Sequence, residues 1–148
     1  SVLEGLKVAS GEYVWIHDGA RPCLSEELLD RLNSDLDEYK ATIAAVPSKD
    51  TVKIIEDGLV KETPDRNNVW MVQTPQVFYK ETLIKAYDIM MSQSDVINIT
   101  DDAMIMECFG TEKVHVTMGE YTNIKVTTPE DILVVEKYFK KIKKVVDR

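Results

Sequence analysis

The most constraining feature of this sequence is the alternation of short, β-favouring apolar runs with longer segments of helical periodicity. Residues 13–17 are apolar and aromatic and end at an Asp-Gly pair, which predicts a buried strand followed by a loop. Ser25 can cap a following helix to about Tyr39, and residues 42–46 predict a second buried strand. The alternation predicts an α/β domain, a three-layer sandwich with much of its sheet parallel.

Residues 51–62 have a different and more polar pattern. Val52 and Ile54 alternate with polar neighbours, and Asp57-Gly58 is typical of a two-residue hairpin turn. An extended pattern resumes after the turn. The stretch predicts a β-hairpin, and we expect it to form an arm over about residues 47–68.

Cap residues and helical spacing predict three helices in the second half of the chain. The first covers residues 81–91, the second is capped by Thr100, and the third is capped by Thr128. Residues 114–118 and 124–126 predict two further short strands. We expect all 148 residues to form a single domain.

Composition narrows the class of partner. The net charge of −8 argues against a nucleic-acid partner, because binding to a phosphate backbone needs a basic surface. A small phosphorylated ligand remains compatible, since a few placed cations suffice for it. No apolar run approaches the roughly 18 residues of a membrane-spanning helix, so no membrane association is expected. The two cysteines fit no metal or redox spacing, which predicts free thiols in a reducing cytoplasm.

Residues 17–22 form the first candidate site, because ligands of open α/β folds bind at the carboxyl ends of strands. Asp18 could hold a divalent cation or a ligand hydroxyl, and Arg21 could pair with Asp18 or contact a phosphate. The alternative is an Asp/Arg pair that only stiffens a turn. His17 is predicted to be a hydrogen-bonded structural residue and not a base.

Two later segments carry the remaining candidates. Arg66 has the charged fork that suits a phosphate, with exposed pairing to Asp65 as the alternative. Gln73 and Thr74 could add neutral hydrogen bonds. Lys125 is expected to face solvent unless its side of the chain lines the cleft.

Together these segments resemble the 2-C-methyl-D-erythritol 4-phosphate cytidylyltransferases of non-mevalonate isoprenoid synthesis. The matching stretches follow the family's order and are 1–6 (SVLEGL), 17–22 (HDGARP), 46–53 (VPSKDTVK), 63–66 (TPDR), 70–78 (WMVQTPQVF), 100–103 (TDDA) and 123–131 (NIKVTTPED). The resemblance implies a Rossmann-like nucleotidyltransferase fold with a protruding β-hairpin arm, a homodimer joined through that arm, and a cytoplasmic enzyme. It also implies a reaction in which the acceptor phosphate attacks the α-phosphorus of CTP and pyrophosphate leaves.

The resemblance assigns roles to the acceptor-binding residues. Arg66 and Lys125 would be the catalytic pair that binds and positions the methylerythritol phosphate. Thr51 and Arg66 would lie on the side of the arm and serve the neighbouring subunit's site. Thr74 and Arg21 would contact the substrate.

At the nucleotide end, the resemblance places Asp18 near both substrate and the Mg²⁺-bound nucleotide, as the metal-binding residue, and Ser1 beside the cytosine. The family's glycine-rich nucleotide loop is not among the matching stretches. We therefore expect an N-terminally truncated domain that alone neither binds CTP tightly nor turns over. Two alternatives stay open, a ribitol 5-phosphate cytidylyltransferase and a non-catalytic α/β dimerisation module.

Overall fold

The computed structural model describes residues 2–93 and 98–146. The strands are β1 (Tyr13–Ile16), β2 (Ala41–Pro47), β3 (Ile54–Glu56), β4 (Leu59–Glu62), β5 (Trp70–Tyr79) and β6 (His115–Met118). The helices are α1 (Val2–Val8), α2 (Glu26–Asp35), α3 (Lys80–Ser92), α4 (Asp102–Phe109) and α5 (Pro129–Val146), with a 3-10 turn, η1 (Arg66–Asn68). This order confirms the predicted α/β class. Within the described ranges, no helix has the length and apolar character needed to cross a membrane.

Four strands form a mixed sheet in the order β1-β5-β2-β6. β5 is antiparallel to both β1 and β2, whereas β2 and β6 are parallel. β1, β2 and β6 therefore point the same way, but β5 separates β1 from β2 and makes two of the three pairings antiparallel. The carboxyl ends of β1, β2 and β6 consequently share one edge of the sheet with the first half of β5. The prediction that much of the sheet is parallel is wrong, since only β2 and β6 pair in parallel.

Apolar side chains on the two faces of the sheet form two cores. One face packs against α1, α3 and α4 through Leu6, Val14, Ile43, Phe78, Leu83 and Met106. The other packs against α2 through Leu28, Leu32, Ala44 and Val77. Successive residues of a strand point to opposite faces, which is why Ile43 and Ala44 belong to different cores. The expected three-layer sandwich is confirmed.

β5 is longer than its apolar run predicted, because it continues past Pro75 to Tyr79. Its register with β2 shifts between Ile43 and Ala45, so residues 73–75 face a single residue of β2. A bulge of this kind tolerates a proline in a central strand, since proline has no N–H to give to the ladder. It also leaves the residues before the proline free to bond to loops at the carboxyl edge.

β3 and β4 form a separate two-stranded antiparallel sheet, and the predicted hairpin is confirmed. Asp57 and Gly58 connect the strands with φ angles of 51° and 77°. These left-handed conformations are what a type I′ turn needs, and glycine and aspartate tolerate them better than most residues. Every residue of the two strands is exposed.

One predicted helix end and one predicted strand are wrong. α2 ends at Asp35, about one turn early. Residues 33–35 are weak helix formers, and an acidic side chain at a helix C-terminus opposes the helix dipole. Residues 124–126 do not form a strand; Val126 donates its N–H to the Ala20 carbonyl at 2.8 Å. A run of three residues is too short for alternation to specify a strand.

Candidate active site

A cleft of about 350 Å³ opens at the carboxyl edge of the sheet. Its polar lining consists of Asp18, Arg21, Gln73, Thr74, Gln76, Thr100, Asp101, Asp102 and Lys125. Five candidate residues of the sequence therefore meet in one place, from the loop after β1, from β5 and from the segment before α5: Asp18, Arg21, Gln73, Thr74 and Lys125. A larger hollow of about 450 Å³ lies between α2 and β6, but no predicted site residue lines it.

Asp18 and Lys125 form the central ion pair of the cleft. Lys125 Nζ lies 2.9 Å from Asp18 Oδ2, and Arg21 Nε lies 3.6 Å from the same oxygen. The hydrogen bond from Lys125 is the main reason that the pKa of Asp18 is lowered, and burial opposes it less strongly. Because 48% of the Lys125 side chain is exposed, the pair adds little to stability. The exposed part of Lys125 lines the cleft.

Arg21 is held more deeply than Lys125, with 12% of its side chain exposed. Its Nη1 donates to the Asn123 carbonyl at 2.7 Å, and its own N–H donates to the Asp18 carbonyl at 2.9 Å. Burial lowers the pKa of Arg21, and the charge of Asp18 opposes that effect. An arginine nevertheless keeps its charge in proteins. Arg21 thus both stiffens the turn and lines the cleft, so the two alternatives are not exclusive.

His17 uses both ring nitrogens in hydrogen bonds, which agrees with its predicted structural role. Nε2 lies 3.0 Å from the Arg21 carbonyl, and Nδ1 lies 2.9 Å from Thr74 Oγ1. A carbonyl only accepts, so in the neutral ring Nε2 carries the proton and Nδ1 accepts from the Thr74 hydroxyl. Thr74 Oγ1 also accepts the Asp18 N–H at 3.0 Å. With its proton directed to His17, Thr74 offers the cleft a lone pair.

Arg66 and Thr51 do not line the cleft. Both are exposed, Thr51 just before β3 and Arg66 as the first residue of η1. Asp65 caps η1 by accepting the Asn67 N–H at 3.0 Å, so its carboxylate serves the turn. The structure places these residues at the base of the hairpin, apart from the other predicted site residues. Ser1 lies outside the described residues.

The cap of α4 is Asp101, and the prediction of Thr100 as the cap is wrong. Asp101 Oδ1 accepts the Met104 N–H at 2.9 Å, and Oδ2 accepts from Gln76 Nε2 at 2.9 Å. Gln76 Oε1 in turn accepts the Ala103 N–H at 3.1 Å. Threonine and aspartate are both competent caps, but Gln76 fixes the carboxylate at this helix end. Thr100 is thereby left to line the cleft.

Asp102 is a cleft residue that the sequence interpretation missed. Its Oδ1 accepts from the Tyr87 hydroxyl at 2.5 Å. Burial is the main reason that the pKa values of both Asp102 and Tyr87 are raised. The signal in the sequence is the pair of acidic residues at the start of α4, since only one of them is needed as the cap.

The chemistry of the carboxylates decides how a metal could be held. Within the described ranges, no group of three or more His, Cys, Asp or Glu side chains is arranged for a metal ion. Asp101 has both oxygens committed to hydrogen bonds, whereas Asp18 is shared only with cations at the cleft. Mg²⁺ commonly binds through one or two carboxylates together with substrate phosphates. Asp18 fits that mode, and a metal cage made only of protein groups does not fit.

Comparison with known proteins gives a consistent result. The family model described as IspD, 2-C-methyl-D-erythritol 4-phosphate cytidylyltransferase, matches residues 1–141. The enzyme of that name from Lachnoclostridium phytofermentans is 49% identical over 138 residues, which are 92% of this chain and 59% of the relative. The one from Bacillus cereus is 45% identical over 145 residues, which are 97% of this chain and 63% of the relative. The chain thus spans about three fifths of the length of these curated relatives.

Solved structures agree with the sequence relatives. The 4-diphosphocytidyl-2C-methyl-D-erythritol synthase from Anaerococcus prevotii is similar with a TM-score of 0.86 and 44% identity, over 95% of this chain and 65% of that chain. The 2-C-methyl-D-erythritol 4-phosphate cytidylyltransferase from Thermus thermophilus is similar with a TM-score of 0.82 and 28% identity, over 95% of this chain and 68% of that chain. The family model and the close relatives cover almost all of the chain. The chain therefore belongs to the 2-C-methyl-D-erythritol 4-phosphate cytidylyltransferase family.

Proposed function

We propose that this protein transfers the cytidylyl group of CTP to 2-C-methyl-D-erythritol 4-phosphate. An oxygen of the acceptor phosphate attacks the α-phosphorus of CTP, a new P–O bond forms, and pyrophosphate leaves from the same phosphorus. The observation that carries the proposal is the cleft where Asp18, Arg21, Thr74 and Lys125 meet, in a chain whose relatives are named for this reaction. Such a reaction needs alignment of two polyanions more than it needs covalent chemistry by the protein.

Lys125 is the residue to which we assign the acceptor phosphate. Asp18 is the carboxylate shared by Lys125 and Arg21, so this trio carries one more positive than negative charge. A phosphate that enters the cleft can replace Asp18 as the partner of Lys125. A preplaced cation of this kind also stabilises the charge that develops on phosphate oxygens during transfer.

The hydroxyl groups of methylerythritol phosphate can donate hydrogen bonds to Thr74 and Asp18. Thr74 directs its proton to His17 and offers a lone pair, and Asp18 offers carboxylate oxygens. Arg21 holds the Asp18 loop in place through the Asn123 carbonyl. We assign Asp18, Thr74 and Arg21 to substrate binding for these reasons.

Arg66 and Thr51 are assigned to the site of a second subunit. The hairpin exposes Ile54, Leu59 and other apolar side chains on a two-stranded sheet, and such a sheet is barely stable alone in water. A homodimer joined through this arm would cover those side chains and carry the exposed Arg66 to the partner's cleft. Arg66 would there be the second cation on the acceptor phosphate.

Mg²⁺ is the cofactor that we assign to this reaction, with Asp18 as the residue that holds it. When bound, the ion neutralises the phosphates of CTP and keeps them in line for displacement. Ser1 is assigned to the cytosine of CTP on the resemblance alone. The cytoplasm remains the predicted location of the enzyme.

Pyrophosphate release tests the proposal. The protein in its full natural length is incubated with CTP and Mg²⁺, and either methylerythritol phosphate or ribitol 5-phosphate serves as acceptor. Release with methylerythritol phosphate alone is the expected result. Release only with ribitol phosphate would support cytidylyl transfer but contradict methylerythritol phosphate as the acceptor. No release with either acceptor would favour a non-catalytic dimerisation module.

A further inference from the structure

Asn123 is a fully buried polar residue, with 0% of its surface exposed, and it stands two positions before Lys125. Burial of an amide is costly unless the amide is hydrogen-bonded. Only the nitrogen of this amide is bonded, because Oδ1 is buried without a hydrogen-bond partner among the described residues, so the Nδ2 bonds alone hold the side chain. It does not line the cleft itself, so any effect on the reaction must pass through the residues that it touches.

The bonds of Asn123 reach three of the cleft residues directly. Its Nδ2 donates to the Thr74 carbonyl at 2.8 Å and lies 3.4 Å from Gln73 Oε1. Its own carbonyl accepts from Arg21 Nη1 at 2.7 Å. One side chain and one carbonyl thus join β5 to the loop after β1.

Gln73 holds the beginning of the segment that follows β6 and contains Asn123. Its Nε2 donates to the Glu120 carbonyl at 2.8 Å, and its Oε1 accepts the Glu120 N–H at 3.3 Å. Gly119 permits this approach, because a Cβ there would lie 2.5 Å from Gln73 Oε1. The segment after β6 is therefore held against β5 at both Glu120 and Asn123. Lys125 lies two residues beyond the second of these anchors.

We propose that the Asn123 side chain is a positioning group for the transfer reaction. It holds the segment that carries Lys125, together with the backbone carbonyl that anchors Arg21, against Thr74 of β5. The three groups come from three separate elements, and Asn123 contacts two of them and precedes the third by two residues. The inference rests on the proposed function. A misplaced group at such a site can lower the rate roughly 100-fold without any loss of chemistry from the protein.

The test compares Asn123→Ala with Thr42→Val in the protein of full natural length. Thr42 is also fully buried and bonds to Thr117 Oγ1 at 2.7 Å, but it lies in the core and does not line the cleft. Both changes remove a buried hydrogen bond, so both should lower thermal stability. We expect Asn123→Ala to lower kcat/KM for the acceptor roughly 10- to 100-fold and Thr42→Val to change it by less than about 2-fold. Losses that follow stability equally in both variants would overturn the proposal.

Amide hydrogen exchange gives a second readout that does not depend on activity. The Asp18 N–H bonds to Thr74 Oγ1, and the Val126 N–H bonds to the Ala20 carbonyl. Both amides should exchange roughly 10-fold faster in Asn123→Ala and should be unchanged in Thr42→Val. Unchanged exchange in Asn123→Ala would overturn the inference even in an active enzyme, whereas a wild-type protein without transfer would overturn only the proposed function.

If Asn123→Ala fails to fold, the smaller change Asn123→Ser replaces it in both measurements. Asn123→Ser leaves a smaller cavity than Asn123→Ala and keeps a polar side chain. The serine hydroxyl is nevertheless too short to reach the Thr74 carbonyl. The same kinetic and exchange differences are expected. Wild-type values for both measurements in Asn123→Ser would also overturn the proposal.

Discussion

Asp18 is the residue on which the charges of the cleft converge. Two cations lie beside one of its oxygens, and the Lys125 hydrogen bond lowers its pKa. The carboxylate therefore stays ionised at a pH where a free aspartate begins to protonate. An anion that takes Lys125 away would remove the main cause of that shift, so ligand binding and the protonation of Asp18 are coupled.

The change Lys125→Met is expected to raise the pKa of Asp18 towards the ordinary value, because it removes the hydrogen bond and its charge. Carboxyl-carbon NMR titration measures this pKa, and Lys85→Met, an exposed lysine outside the cleft, is the control. A lowered folded pKa stabilises the protein above the unfolded value of about 3.9, and this stability is lost as pH falls through the folded value. The small stability difference between Lys125→Met and wild type should accordingly vanish at the acidic end. An Asp18 pKa that stays lowered in Lys125→Met would contradict the assignment of its cause.

At the level of single residues, a site residue could be predicted where the local sequence pattern indicates the end of a strand. Asp18 was found in this way, from residue type and position, whereas Lys125 was expected to face solvent and became a site residue only through the family resemblance. Thr100 was misassigned, because neighbouring cap-competent residues differ only in a distant partner, Gln76. The bonds of Asn123 to Thr74 join residues far apart in the chain, and no local pattern encodes such a contact.

At the scale of elements, α2 is tied to the site through its own cap. Ser25 Oγ accepts the Leu28 N–H at 3.1 Å and donates to Glu120 Oε1 at 2.8 Å. Arg31, one further turn along, also bonds to that oxygen at 2.9 Å. The helix start and the loop that carries Lys125 are thus held as one unit.

The change Ser25→Ala should lower the free energy of unfolding by about 1–2 kcal/mol, since it removes both the cap and the bond to Glu120. Ser34→Ala is a matched control, because Ser34 is exposed near the other end of α2. Chemical denaturation of both variants gives the comparison. Equal stability of the two variants would argue against the Ser25 bonds.

The start of α2 could be predicted, because its cap Ser25 and the residues that it caps are neighbours in the chain, whereas α1 was not predicted and the cap of α4 was misplaced by one residue. The full extent of β5 could not, since Pro75 breaks the local strand pattern and only the bulge opposite β2 accommodates it. The prediction for residues 124–126 was wrong in the opposite direction. A short alternation indicated a strand, but the segment bonds to a loop through the Val126 N–H. In both cases tertiary contacts decided the outcome.

At the scale of the whole molecule, the hairpin is the part that the sheet does not support. Its two strands pair only with each other among the described residues, and their side chains are exposed. Its turn depends on the backbone of Gly58, which has φ 77° and no neighbouring atom within 4 Å of an added Cβ. A larger residue would therefore be excluded by backbone conformation and not by crowding.

The change Gly58→Val should weaken self-association of the protein in its full natural length, because a β-branched residue strains the turn that shapes the proposed arm. Sedimentation velocity over a range of concentrations measures the effect. Gly5→Ala, a helical glycine that also has open space around it, is the control. Sedimentation of Gly58→Val identical to that of wild type would speak against the arm as the dimer contact.

β5 begins beside the base of the hairpin, passes through the cleft and ends in the core within ten residues. Its register serves all three regions at once, and a shift by one residue would turn every side chain to the opposite face. The consequence is evolutionary. Lineages can lengthen or shorten the hairpin without disturbing the sheet, whereas an insertion in β5 would move Thr74 from the cleft and Phe78 from the core together. Length variation among descendants of this chain should therefore accumulate in the arm and spare this strand.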